Sequence, residues 1–344
     1  MPKSPERRAR GRGRRNYKPE AQPHVKLTGN ERASNLVADN ADGGGCRGRM
    51  QDATCRVENR RARRKRDRRE QLQKIIDAGE AANTEVEQWL AEAAEKNIAE
   101  GSDAAKELNQ RIEQRYAVAR KGYADFIKKH PKHGGGYAAY GDFLLGQHDE
   151  DGAEAQLKKA LELDQSNPTV YNDLANIYGH HGGVKESFNY YAKAIKLDPT
   201  EPIYFQNFGT TVFLFRKDAK EYYNINEQQV FDKALMLYSN AMRLDPTNFA
   251  LASDVASSYY GIKPWRFEEA LRSWTNALTL TRTDFEREQV YTHFARIETQ
   301  AGRYDEARAS LTAVTNEANL KLKDRMLRNI VERQQATNRP AGNP

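Results

Sequence analysis

The sequence predicts an all-α solenoid of about five to six helix–turn–helix repeats, carried behind a disordered basic N-terminal tail. Two observations point to it. The phrase "YYAKAIKLDPT" (190–200) returns in altered form as "LKKALELDQS" (157–166) and as "YSNAMRLDPT" (238–247). The returns keep a period, because Pro199 follows Gln165 by 34 residues and Gln165 follows Pro131 by another 34. A fixed period in that range is the mark of stacked supersecondary units, none of which buries its apolar face alone.

Composition allows this and narrows the rest. A chain of 344 residues has room for two average domains or one extended array. Its 38% apolar content can supply a core, although a mean hydropathy of −0.91 makes much of it polar. Charge divides the chain: residues 1–70 carry 21 Lys/Arg against 9 Asp/Glu, while the remaining 274 carry 34 against 39. A basic tail therefore precedes a mildly acidic body. No apolar run near the N-terminus reads as a secretory signal, and none approaches the roughly 20 residues of a membrane span. "GGGC" (43–46) has the letters of a lipoprotein cleavage site without the apolar segment before it. Cys46 and Cys55 both lie in the tail, so the expected fold is cytoplasmic and independent of disulfides.

Taken in order, residues 1–57 mix Gly, Pro, Arg, Asn and Asp with scattered apolar residues. Such a segment cannot offset about 1–2 kcal/mol of backbone entropy per residue and is predicted to be disordered. Met50 is an internal candidate start. Residues 58–83 read as a basic helical linker opened by "RRARRKRDRR" (60–69), and 84–133 as an atypical helical pair. There Thr84 is expected to open a helix with Glu87 as its capping-box partner. Gly101 breaks the pattern, and Ser102 caps a second helix striped by Leu108, Ile112, Tyr116, Ala119, Tyr123 and Phe126.

From 134 the units repeat as 134–167, 168–201, 202–248, 249–283 and 288–321. Unit 168–201 carries Tyr171, Leu174, Ala175, Tyr178, Ser187, Tyr191, Ala194, Leu197 and Pro199. Gly141, Ala175, Gly209, Ala256 and Ala295 share the eighth place, where two helices press together. Ala153, Ala234, Ala270 and Ala307 answer from the second helix, and Ala160, Ala194, Ala241 and Ala277 leave room for the next unit. Pro199 and Pro246 stop a helix because proline lacks the N–H that would continue it. Unit 202–248 holds 13 extra residues near "FRKDAKEYYNIN" (215–226), after which Asn226 and Gln229 can recap the second helix; two more fall around "IKPWR". A polar helix at 319–336 should cap the array, and 337–344 should be disordered.

These residues and their spacing resemble the tetratricopeptide-repeat family, firmly over 130–320 and loosely over 84–130. The resemblance implies a right-handed superhelix whose first helices line a concave face.

Motifs for chemistry are missing. No GxxxxGK[ST], HExxH, GxSxG or paired CxxC occurs. "HGGG" (133–136) lacks the strand and nucleophile elbow of a lipase and reads as a turn. His180 and His181 beside Gly182, with His148 a turn away, read as exposed turn residues whose adjacent side chains diverge, the alternative being a weak metal site. Cys46 and Cys55, with His24, fall short of a zinc set. Neither catalytic residues nor a cofactor or metal is expected, and an enzyme is the least supported class.

Partner binding is what remains. By the resemblance, the fifth, ninth and twelfth places face the groove, giving Asn172, Asn176, Gln206, Thr210, Phe213, Ser253, Ser257, Tyr260 and Arg296 as candidates for holding a protein or peptide. Asn172 and Asn176 would offer amides to a peptide backbone, with Phe213 and Tyr260 as apolar anchors; the plain alternative is a solvated face. Tyr222, Tyr223 and Trp265 join Phe213 and Tyr260 as aromatics that the repeat has no need to bury. The function expected is a scaffold or adaptor. The second possibility is a nucleic-acid-associated adaptor, in which Arg60, Arg61, Arg63, Arg64, Lys65, Arg66, Arg68 and Arg69 bind phosphates. An anionic membrane surface, an acidic protein or an import signal are further readings of those cations, and the plain alternative is an artefactual or merely solvated tail.

Overall fold

A computed structural model describes residues 53–338, and among them lie fourteen α-helices, one 3-10 turn and no strand. The predicted tail up to residue 52, with Cys46, Met50 and the 43–46 run, falls outside the described residues, as do 339–344. Helix α1 (Ala53–Glu95) is 43 residues long. It corrects three expectations: helix begins at Ala53 rather than after 57, no break separates 58–83 from 84–133, and Thr84 caps nothing. The Thr84 hydroxyl donates to the Glu80 carbonyl at 3.0 Å inside the continuing helix. A capping pattern acts only where the chain leaves the helix, and here Ala82 and Val86 are buried on the same face as Leu72 and Ile76. Gly79 weakens the helix locally but is required, since a Cβ there would stand 2.7 Å from the Tyr123 hydroxyl.

Helix α2 (Asp103–Lys129) runs back along α1, capped by Ser102 through the Ala105 N–H. A Cβ at Gly122 would sit 3.6 Å from Ile75, Arg115 grips Glu85 at 2.8 and 3.0 Å, and the Arg111 guanidinium lies 3.7 Å over Trp89. Those three pairings set an antiparallel register.

The units then follow in order: α3 (Gly134–Leu145) with α4 (Glu150–Leu163), and α5 (Pro168–His180) with α6 (Val184–Leu197). Helix α7 (Pro202–Leu214) pairs with α9 (Glu227–Leu244) across a short inserted α8 (Arg216–Tyr223). Helix α10 (Phe249–Ser258) pairs with α11 (Phe267–Thr279), α12 (Asp284–Gln300) with α13 (Tyr304–Thr312), and α14 (Glu317–Asn338) closes the array. The closing helix outruns its predicted span, so 337 and 338 are helical. The alanines at the repeated places are buried throughout, with Ala153, Ala194 and Ala241 at 0% exposure. At Gly141 the helices meet so closely that a Cβ would stand 2.7 Å from Leu157.

The recurrent "LD-x-S/T" is a helix end with a reason. The N–H groups of Asp164 and Asp198 close the last turn on Ala160 and Ala194. Their carboxylates then accept from the N–H and hydroxyl of Ser166 and of Thr200, at 2.6 to 2.9 Å. Each turn thus hands the chain to the next unit. Cores interlock in the same way, since Leu251 of α10 joins the cluster holding Phe188, Tyr191, Phe208 and Tyr238.

The insert is anchored rather than loose. Ala219 is fully buried, the rings of Tyr222 and Tyr223 lie 5.3 and 5.7 Å from Phe188, and Asn226 with Gln229 forms a complete capping box on α9. The closing helix is tied by Glu288, which is buried at 6% exposure. It accepts the N–H groups of Thr315 and Asn316, the Thr315 hydroxyl and the Asn319 amide, at 2.9 to 3.2 Å. Burial alone would push this carboxyl up; the four donors overcome it and hold the pKa at about 2. A depressed carboxyl stabilises the fold above its unfolded pKa of about 4.3, and that contribution fades as pH falls toward 2. Glu288→Gln should therefore loosen α14 at neutral pH, by about 1–3 kcal/mol, and flatten the acid dependence. Hydrogen exchange of α14 between pH 5 and pH 2.5, conditions set by that window, checks both; equal profiles for the two proteins would contradict the tie.

Candidate partner-binding groove

The first helices α5, α7, α10 and α12, with the 3-10 turn after α10 that holds Tyr260, carry the predicted groove residues, and the structure separates those that meet solvent from those that hold the units together. Asn172 belongs to the second kind. It is 3% exposed, its amide donates to Asp173 at 3.2 Å, and its carbonyl accepts from Asn207 of the next unit at 3.1 Å. This corrects the expectation that Asn172 reads a peptide backbone, because a buried amide with both ends engaged joins α5 to α7 instead. Thr169 and Tyr204 repeat the link at 3.0 Å.

A second tie was missed by the sequence reading. Tyr191 donates its hydroxyl to the Asn176 carbonyl oxygen, and Tyr238 donates to the Thr210 hydroxyl at 3.1 Å. Both tyrosines occupy the same place in the second helix, and both acceptors occupy the ninth place of the first. Burial pushes both phenols up, Tyr238 to about 12, so each keeps its proton to donate at neutral pH. The signal was present in the sequence as tyrosine at the place where units 134–167 and 288–321 have Leu157 and Leu311.

Toward the C-terminal half the face is more open. Gln206 is half-buried and donates to Asp254 at 3.2 Å. Burial pushes the Asp254 carboxyl up, partly opposed by that hydrogen bond. Ser257 and Arg296 are exposed, whereas Ser253 is half-buried with its hydroxyl oxygen shut from solvent and without a partner among the described residues. Phe213 packs against Phe231 at 5.7 Å and under Gly261, so it belongs more to the core than to a free anchor. Tyr260 is half-buried, bonded to His293 at 2.9 Å, with the Arg296 guanidinium 4.5 Å over its ring. Burial, aided by Arg296, pushes the His293 imidazole down to about 4, so it is neutral at pH 7. Of the other aromatics singled out, Tyr222 is exposed, and Tyr223 and Trp265 are half-buried.

His180 and His181 do not diverge as expected. They converge on the two oxygens of Glu150, at 2.7 and 2.9 Å, which ties the turn after α5 to the start of α4. No cluster among the described residues has the makings of a metal site. His133 of "HGGG" caps α3 by accepting the Gly136 N–H, so 134–136 are the first turn of that helix and not the connecting turn expected. No described helix is long and apolar enough to cross a membrane.

Residues 168–201, the α5–α6 pair with its closing turn, match the family described as tetratricopeptide repeat. That pair is a tetratricopeptide repeat. Among solved structures, the chain is similar to MamA at 19% identity, over 50% of this chain and 92% of that one, with a TM-score of 0.40. It is similar to YrrB, described as a TPR protein with an unusual peptide-binding site, at 16% identity over 63% and 98%, TM-score 0.45. PilF of Pseudomonas aeruginosa matches at 15% identity over 76% and 98%, TM-score 0.44. No curated protein matches the sequence.

Proposed function

We propose that the chain is a tetratricopeptide-repeat array acting as a non-catalytic scaffold, which holds an extended segment of a partner protein along its first helices. The observation that carries the reading is the open half of that face. Gln206, Asp254, Ser257, Tyr260 and Arg296 set donors, acceptors, one aromatic ring and one cation along three successive units. An extended backbone needs alternating donors and acceptors, and a ring beside a cation adds a place for one side chain or carboxylate. Asn172, Asn176 and Thr210 contribute rigidity, since they are engaged in bonds between or within units.

A photo-crosslinking residue at Ser257 should trap a partner, whereas one at the exposed Ser239 of second helix α9 should not. Equal trapping at both sites would contradict the groove. Gln206→Ala combined with Arg296→Ala should weaken the trapped partner about tenfold, or about 1.4 kcal/mol, without lowering the melting temperature.

A second reading concerns the N-terminal helix, in which Arg60, Arg61, Arg63, Arg64, Lys65, Arg66 and Arg69 are exposed and Arg68 is half-buried. So dense a set of cations favours a polyanionic partner whose binding falls as salt rises.

A further inference from the structure

The register of α1 against its neighbours determines how much of it stands clear of the array. Ile75 lies beside Gly122, Glu85 beside Arg115 and Trp89 beside Arg111, so Arg68 falls level with the end of α2 at Lys129. Helix α3 gives the same level, because Gly79 meets Phe143 and Asn83 meets Gly146, which places the start of α3 near residue 70. The helix from Ala53 to Asp67 therefore overhangs the body as an arm of about 22 Å. At its root the α2–α3 turn brings Lys128, Lys129 and Lys132, all exposed. The contact is close enough for its charge to be felt: the His130 imidazole is pushed down by burial first, then by Lys129, Arg68 and His133. Sequence places these two basic clusters some 60 residues apart; the fold makes them one surface.

We propose that the arm and the lysines of the α2–α3 turn together form a binding surface for duplex DNA, with the arm lying in the major groove. This deepens the polyanion reading above and rests on it. Three features select the duplex. At 3.6 residues per turn the eight cations of 60–69 point to every side of the helix, with no gap wider than about 60°. A helix about 10–12 Å across with charge all round meets both phosphate walls of a groove about 12 Å wide. Between Glu58 and Glu70 the only apolar residue is Ala62, so the arm lacks the apolar face that an interfacial membrane helix buries. The major groove of A-form RNA is too deep and narrow to admit it. The turn lysines add phosphate contacts beside the groove, since 126–133 ("FIKKHPKH") contains no acidic residue.

The test uses the full chain and a labelled mixed-sequence DNA duplex of about three helical turns, with affinity followed between about 50 and 200 mM salt. Each phosphate contact contributes about 0.9 to the slope of log affinity against log salt. Replacing Lys128, Lys129 and Lys132 by alanine should reduce that slope by about 2–3, and replacing Arg60, Arg61, Arg63 and Arg64 by glutamine by about 3–4. Both sets lie on exposed positions, so circular dichroism should be unchanged. If the arginine variant binds as tightly as the parent, the polyanion reading itself fails. If it weakens and the lysine variant does not, that reading stands and the combined surface is wrong. Binding of duplex RNA, phosphatidylserine-rich vesicles or polyglutamate as tight as that of DNA would overturn the groove fit.

Discussion

Trp274→Ala is expected to open the C-terminal third of the solenoid while leaving the N-terminal units folded. Trp274 is 2% exposed, stacks on His293 at 3.9 Å and 10°, and packs with Ala256, Ala270, Val290 and Ile297 across two units. Removing so large a buried ring costs about 3–5 kcal/mol. In a repeat array that cost falls on the affected unit and its neighbouring interfaces rather than on the whole chain. Hydrogen exchange should accelerate by about two to three orders of magnitude in α11–α14, at 1.4 kcal/mol per tenfold, and little in α3–α6. Uniform acceleration would show that the array melts as one body and would remove the nearest-neighbour explanation. The substitution should also alter the pH profile. In the folded parent His293 resists protonation down to about 4, whereas an unfolded histidine takes up its proton near about 6.5. The parent therefore loses stability as pH falls through that window. With the stack gone the imidazole is wetted, and the variant should show a shallower slope there.

Phe188→Ala is expected to cost a similar 3–5 kcal/mol and, in addition, to free the insert α8. Phe188 is 1% exposed and touches Phe208, Tyr222 and Tyr223, at 5.9, 5.3 and 5.7 Å between ring centres. Tyr223 has further ring contacts, with Tyr222 at 4.8 Å and from Lys233 at 4.1 Å. Trypsin should then cut at Lys217 and Lys220, which are exposed but lie in a helix that resists the protease while it is docked. Tyr222→Phe is the control, since it loses the hydroxyl bond to Asn189 and keeps the ring. Cleavage as slow in Phe188→Ala as in the parent would mean that other contacts anchor the insert.

Much of the array was legible because its rules are local and repeated. A small residue every time two helices press together, and a helix end written as Leu-Asp followed by a Ser/Thr-bearing turn, recur at fixed intervals. Each recurrence checks the others. Helix α1 was misread for the opposite reason: Thr84 and Glu87 have the letters of a start, but Ala82 and Val86 are buried, Ala82 in a core shared with α2 and α3, and burial keeps the helix going. The groove was only half legible. Asn172 and Gln206 stand at equivalent places, yet one is buried against Asn207 and the other reaches Asp254.

The sequence by itself determined that helices pair and stack, because periodicity and side-chain size along one chain suffice to specify a contact between adjacent elements. Tertiary structure alone decided which amides stay wet, where α1 leaves the body, and that the lysines of 128–132 stand at the root of the arginine arm. Those are relations between residues distant in the chain, and they depend on helix register and stacking angle, for which no single stretch of sequence carries a mark.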